Sequence, residues 1–325
     1  MLKRLAVSNF NTVSGVDHDI QLSYQLFGRP LHTAPIVLVN HALTGNSQVT
    51  GEKGWWSDLI GKGKCIDTAI YTVLAFNIPG NCYDGFVINN YQDFVARDIA
   101  SLFLEGLQRL QIKSLYAIIG GSLGGGIGWE MIALNPDISQ HLVPIASDWK
   151  STDWLIANCR IQEQFLVNST QPIQDARMHA MLCYRTPQSL NRRFERTVNE
   201  ELQVFNVESW LMHHGEKLQN RFQLSAYKLM NQLLRTIDIV SRDAKAIEGI
   251  AKSKVHIHVI GVDTDLFFTA EENRNTYHSF KKLGCTISYG EITSIHGHDA
   301  FLIEFPKLEE LLAEIFIKKP KAWQI

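Results

Sequence analysis

The residues that could do chemistry fall into three short groups. Ser122 sits in Gly120-Gly121-Ser122-Leu123-Gly124, which fits the pattern G-x-S-x-G. Two carboxylates, Asp263 and Asp265, follow the apolar run Lys254–Ile260. Two histidines, His296 and His298, lie in the stretch Ser294–Leu302. A serine hydroxyl is a weak nucleophile until a base takes its proton, and the base needs an acid to orient it. A serine, then an aspartate, then a histidine is a chain order known to build such a set. Spacing leaves two choices open, Asp263 or Asp265 and His296 or His298. A Gly-His pair before an apolar helix start favours His298 as the base and gives His296 a loop hydrogen bond.

A glycine-rich turn alone is a weak signal, so its context matters. Ser114–Glu130 reads SLYAIIGGSLGGGIGWE, an apolar strand, the turn, then an apolar helix ending near Asn135-Pro136. A sharp strand-to-helix turn of that kind displays the serine and puts the helix N-terminus beneath it. At Gly120 and Gly124 a Cβ would clash as strand and helix close together. Two bland readings compete. A phosphate-binding loop would need a clean GxGxxG or a following Lys-Ser/Thr, and neither is present. A purely structural turn on an inactive relative would not need acid and base at late strand ends. Two backbone N–H groups must also stabilise the oxyanion. Leu123, after the nucleophile, should give one. Leu43, in the loop Asn40-His41-Ala42-Leu43-Thr44-Gly45, should give the other, which leaves His41 to shape the loop.

These groups require strands that end near one another. Short, β-branched, nearly continuous apolar runs occur at Pro35–Asn40, Ile70–Phe76, Ser114–Ile119, His141–Ile145 and Lys254–Ile260, with a weaker one at Thr286–Gly290. Such runs suit parallel strands covered on both faces. Helical patterns lie between them: Asp93–Leu110 puts Phe94, Ile99, Leu102, Phe103 and Leu107 on one broad face, and Pro306–Lys318 forms a last helix. From Asp148 to Ala246 no convincing strand appears, and Ile173–Leu182 and Val207–Leu234 read as helices. The expectation is an α/β-hydrolase fold: a mostly parallel sheet with helices on both faces, core residues 1–147 and 247–325, and a helical lid at 148–246.

Bulk properties narrow the function. The 325 residues are 45% apolar and carry a formal net charge of −2, so no field points to nucleic acid or anionic lipid. No apolar stretch is long enough to span a membrane or serve as a signal peptide. Cys65, Cys82, Cys159, Cys183 and Cys285 are odd in number and widely spaced, which argues against a disulfide framework and for the reducing cytoplasm. His256 and His258 alternate along a strand and look like a metal pair. With no cysteine or carboxylate at ligand spacing, one or both read instead as buried neutral histidines, and no metal is expected.

The chain resembles the homoserine O-acetyltransferase family. The resemblance rests on His41–Gly45 (HALTG), Arg97-Asp98, Gly120–Gly125 (GGSLGG), Ala176–Thr186 (ARMHAMLCYRT), Val207–Phe222 (VESWLMHHGEKLQNRF), Thr264–Phe267 (TDLF) and Gly297–Leu302 (GHDAFL). It implies Ser122 as nucleophile, Asp265 as acid and His298 as base. It implies Arg177 and Tyr184 as lid residues that contact the amino-acid substrate, and Asp299 as the carboxylate for its ammonium group. The two lid residues, seven apart, share a helical face, which also fits simple bracing. The resemblance further implies acetyl-CoA as co-substrate, no bound cofactor, L-homoserine as acceptor in methionine biosynthesis, and a homodimer through the lid helices. Two departures stand out: Asn77–Gly85 is shorter than the family's Gly/Ser-rich loop, and Gln223-Leu224-Ser225-Ala226 replaces the family's Asp-Ala-Asn-Ser. Alternatives are succinyl-CoA as donor or L-serine as acceptor, a serine esterase of the same fold, and a non-catalytic scaffold.

Overall fold

The buried strands are where the apolar runs place them. A computed structural model describes residues 1–316. Strands β3 (Ile36–Asn40) and β4 (Thr72–Phe76) are buried at every position. So is β5 (Leu115–Gly121). β6 (Ser139–Ile145) and β7 (His256–Val262) are buried toward their C-terminal ends. β8 (Ile287–Ile292) extends two residues beyond the weak run at Thr286–Gly290. Parallel pairing joins β4 to β3, β3 to β5, β5 to β6, β6 to β7 and β7 to β8.

Two strands were not anticipated. β1 (Lys3–Asn11) and β2 (Asp17–Gly28) extend the sheet at one edge, giving the order β1-β2-β4-β3-β5-β6-β7-β8. β2 runs antiparallel to both of its neighbours. Most of β1 faces solvent, and only Val7 in it is buried. An edge strand of that kind shows no continuous apolar run, so its sequence signal is faint.

Alternation along the strands feeds two cores. Ile36 and Leu38 join the layer with α1 (Ala96–Arg109) and α2 (Leu123–Leu134). Val37 and Val39 join Trp56, Tyr71 and the final helix, Phe305–Phe316, on the other face. The expected end of that helix at Lys318 lies outside the described residues. Phe94, Ile99, Leu102, Phe103 and Leu107 are all fully or almost fully buried.

Residues 148–246 hold α3 (Asp153–Asn168), α4 (Pro172–Tyr184), α5 (Pro187–Phe194), α6 (Asn206–Gln219) and α7 (Leu224–Arg235), plus a two-residue pairing of Val198–Asn199 with Val204–Phe205. No strand of the central sheet comes from this segment. The single helix expected over Val207–Leu234 is broken at Asn220–Gln223. The turn lets Phe222 bury itself and α7 start afresh with Ala226, Tyr227, Leu229 and Met230 turned inward. Two helices can each present an apolar face to a different neighbour, which one straight helix cannot.

Candidate active site

Ser122 follows β5 in a conformation that L residues rarely hold, φ +54° and ψ −126°. Its N–H donates to Ile145 O on β6, and its carbonyl accepts from Gly125 and Gly126 as α2 begins. Strain of this size persists where the surroundings impose it. Close approach explains Gly124: a Cβ there would stand 2.3 Å from Asn40 O, at the end of β3. The missing side chain lets the loop His41–Gly45 come up against the serine turn.

The three residues expected to act together meet. His298 Nε2 lies 2.9 Å from Ser122 Oγ, and His298 Nδ1 lies 2.7 Å from Asp265 Oδ2. Asp265 follows β7, and its other oxygen accepts from the N–H groups of Phe267 and Phe268 at 2.7 and 3.0 Å. A carboxylate held this way can turn only toward the imidazole. His298 lies in the short 3-10 helix Gly297–Leu302 after β8. Its ring is walled by Tyr184, Phe267, Phe268 and Phe301, with centroids 5.2 to 5.9 Å away. Ser122, Asp265 and His298 are all at most 5% exposed.

Geometry separates the two members of each pair. Asp263 accepts from the Ser294 N–H at 2.8 Å and braces one strand end against the next. His296 Nδ1 meets Arg185 Nη2 at 2.9 Å and Ser189 Oγ at 3.2 Å, away from Ser122.

The helices over the site reach down to it at several points. Arg177 and Tyr184 lie on α4, with the guanidinium 5.5 Å from the centre of the Tyr184 ring. Burial drives the Tyr184 phenol well above its ordinary range, so it stays protonated as a donor. Burial likewise raises the Asp299 carboxyl, against the pull of Arg177, His298 and Arg185. Arg185 escaped the sequence reading. It is buried and its Nη1 stands 3.9 Å from Asp299 Oδ2, although it belongs to the same ARMHAMLCYRT run as Arg177. The Arg221 side chain donates to Thr44 O at 3.1 Å, and Trp154 Nε1 donates to Leu266 O at 2.6 Å. Gly297, at φ +65°, fits under Tyr184 O, which a Cβ would approach to 2.9 Å.

His41 has a structural part that spacing could not reveal. Its Nε2 accepts from the Ile78 N–H at 3.0 Å, which leaves Nδ1–H to donate to Ala42 O at 2.8 Å. Burial lowers its pKa to about 4. The Ala42 carbonyl also accepts from the Gly45 N–H. That carbonyl belongs to the same peptide plane as the Leu43 N–H, so both bonds fix where the Leu43 donor points.

Comparison with known proteins fits this architecture. The family model of the alpha/beta hydrolase fold matches residues 35–198. The homoserine O-acetyltransferase of Cyclobacterium marinum is 31% identical, and the match covers 92% of this chain and 90% of that one. The chain belongs to the homoserine O-acetyltransferase family. It is thus an enzyme with the α/β-hydrolase fold. Solved structures extend the likeness of fold: homoserine O-acetyltransferase from Staphylococcus aureus superposes with a TM-score of 0.84 at 23% identity, over 99% of this chain and 97% of that one. Esterase E22 superposes with the same score at 16% identity, over 97% and 100%. The same fold is therefore found both in a transferase and in an esterase.

Proposed function

We propose that the protein transfers an acetyl group from acetyl-CoA to the hydroxyl of L-homoserine, in two steps through an acetyl-Ser122 intermediate. The observation that carries this reading is the hydrogen-bonded chain Ser122–His298–Asp265 lying directly under Arg177 and Tyr184 of α4 and beside Asp299. A hydrolase needs the first half of that arrangement; a transferase to an amino acid uses both halves.

In the first step His298 Nε2 takes the Ser122 proton as Oγ attacks the thioester carbon. The N–H groups of Leu43 and Leu123 receive the oxyanion, worth about 3 to 4 kcal/mol per donor in related chemistry. The carbon–sulfur bond breaks, His298 returns the proton to the thiolate, and CoA leaves as the thiol. In the second step His298 deprotonates the acceptor hydroxyl, which attacks the acetyl-serine. The proton then passes back to Ser122 Oγ as the ester forms on homoserine. Asp265 holds the Nδ1–H tautomer throughout and stabilises the transient imidazolium. Arg177 offers a bidentate grip for the acceptor carboxylate. Tyr184 adds a hydroxyl, and Asp299 pairs with the ammonium group. Residues 148–246 act as the lid that keeps water from the acetyl-serine.

A thiol is a good leaving group, so the scheme uses no metal and no bound cofactor. The further parts of the reading are a place in methionine biosynthesis, a cytoplasmic setting in keeping with five free cysteines, and a homodimer through the lid. Exposed apolar side chains on the lid support the last: Ile161 and Val167 on α3, Leu182 on α4 and Met212 on α6. Among the described residues no helix is long and apolar enough to cross a membrane.

Incubation with acetyl-CoA alone tests the intermediate. The peptide containing Ser122 should gain about 42 daltons, one acetyl group in place of a hydrogen. Adding L-homoserine should then discharge the adduct much faster than water does. Rapid discharge by water, with no gain from homoserine, would replace the transferase by an esterase. Parallel thiol-release assays with succinyl-CoA and with L-serine decide donor and acceptor.

A further inference from the structure

We propose that His141, His256 and His258 form a binding site for a divalent transition-metal ion, zinc above all, at the end of the sheet opposite Ser122. The three imidazoles come from adjacent parallel strands. His141 on β6 is the register partner of His256, the first residue of β7. His258 lies two residues further along, on the same face of the sheet. One nitrogen from each ring falls within 4.8 Å of the other two. The His256 and His258 ring centres are 3.9 Å apart, and those of His141 and His258 are 5.1 Å apart. Zinc–nitrogen bonds of about 2.0–2.1 Å in a tetrahedral site put neighbouring ligand atoms roughly 3.3 Å apart. The ring pair His141 Nδ1 and His258 Nε2, now 3.0 Å apart, has to open by only a few tenths of an ångström.

The surroundings prepare one ligand in advance. His258 Nδ1 lies 3.0 Å from Ser288 Oγ on β8, its register partner. With Nδ1–H donated to that hydroxyl, the Nε2 lone pair faces His141. Ligating histidines elsewhere are oriented by the same kind of outer hydrogen bond. In the ion-free protein His141 donates Nδ1–H to that lone pair. On binding, His141 moves its proton from Nδ1 to Nε2, and both facing lone pairs then converge on the ion without net proton release. A structural bond between two imidazoles would need no third ring. Yet the His256 ring stands against His258 and makes no hydrogen bond among the described residues. All three rings are half-buried, so an ion has a path in and a fourth position remains for water.

The donor set chooses the class of ion. Three imidazoles and no carboxylate suit zinc, copper, nickel or cobalt, and not calcium or magnesium. Four residues of extended strand carry the chain from His258 to Val262, roughly 13 Å at about 3.3 Å per residue, and Asp265 lies beyond that end. The ion is therefore a clamp between β6 and β7 and not a participant at Ser122.

The test titrates the metal-stripped full chain with zinc, measured by equilibrium dialysis and elemental analysis, and with cobalt, read by its visible spectrum. The expected result is one zinc per chain and the intense absorption of four-coordinate cobalt. His141→Gln and His256→Gln should each weaken zinc binding at least tenfold, and Ser288→Ala should weaken it by about tenfold. His256→Gln should keep its thiol-release activity, which shows that it is folded even where His141→Gln is not. Ser122→Ala should leave zinc binding unchanged, which separates this site from His298. Absence of stoichiometric binding, binding that survives in His256→Gln, or a six-coordinate cobalt spectrum would overturn the proposal.

Discussion

The two ends of the sheet surround the same kind of side chain with different neighbours. At the C-terminal end of the strands, His298 has a carboxylate 2.7 Å from one nitrogen and a hydroxyl 2.9 Å from the other. At the N-terminal end, His258 has a hydroxyl on one side and another imidazole on the other. Burial first, then its histidine neighbours, lowers the His258 pKa to about 3, and burial lowers that of His141 to about 4. Among the described residues no carboxylate is hydrogen-bonded to either ring. An imidazole next to Asp265 can accept a proton in the course of a reaction because the ion it becomes has a partner. One packed against other imidazoles cannot, and is left as a neutral donor or ligand. The acid, more than the burial, separates a base from a bystander.

The largest effect expected from breaking this arrangement is at Ser122. Ser122→Ala should cut transfer about 10⁶-fold, as in other serine triads, with no acetyl adduct by mass spectrometry. Retained transfer would mean that the acceptor attacks the thioester directly. Asp265→Asn removes the feature that separates the two ends while keeping the shape. It should lower kcat about 10⁴-fold, because the amide favours the wrong tautomer of His298. Steady-state kinetics checks it, and a loss below about tenfold would show that the acid is dispensable.

Asp299→Asn should act on the acceptor and spare the donor. The expected outcome is a 10- to 10²-fold rise in the KM for homoserine, from the loss of one charge-assisted bond, with the first-step CoA burst preserved. A burst that disappears would move Asp299 from substrate binding into the chemistry. His41 is a third kind of histidine, neutral because burial lowers it to about 4, with both nitrogens tied to backbone. His41→Leu should lower kcat by about tenfold through a loosened Leu43 donor, and should cost about 1 to 3 kcal/mol of stability from the orphaned Ile78 N–H. Unchanged kcat with lowered stability would leave His41 a purely structural residue.

The smallest effect concerns Glu130, one helix face away from Ser122 on α2. It is 1% exposed, and burial pushes its pKa up to about 7 despite Arg97 at 3.5 Å and the Asp238 N–H. The folded state therefore holds a proton that the unfolded chain has released between about pH 4.5 and 7. Stability from this group is greatest below that window and falls as pH rises through it, by on the order of 3 kcal/mol. Glu130→Gln should flatten this part of the denaturation profile. An unchanged slope would show that Arg97 keeps Glu130 ionised.

Legibility followed burial. The doubly covered strands β3 to β7 were readable because short, sustained apolar runs suit strands buried on both faces. β1 was not, because at the sheet edge every residue but Val7 is at least partly exposed, and β2 was not, because its buried stretch Leu22–Gln25 mixes the polar Ser23 and Gln25 with apolar side chains. The break at Asn220–Gln223 was invisible because the residues on both sides favour helix equally well, and only the burial of Phe222 interrupts them.

The order Ser122, Asp265, His298 and the glycines of the serine turn are properties of the sequence itself. They follow from what acyl chemistry demands and from where a Cβ cannot fit. In the sequence, only the family resemblance selects Asp265 over Asp263. In the folded chain it follows from direction: Asp265 aims at His298, while Asp263 is spent on the Ser294 N–H. Arg185 beside Asp299, the bond from His41 to the Leu43 peptide, and the meeting of His141 with His256 and His258 were decided by tertiary structure alone. Each joins residues that are far apart in the chain or turned by the backbone. No local spacing encodes which strand lies next to which, and register between strands is fixed only when the whole sheet has assembled.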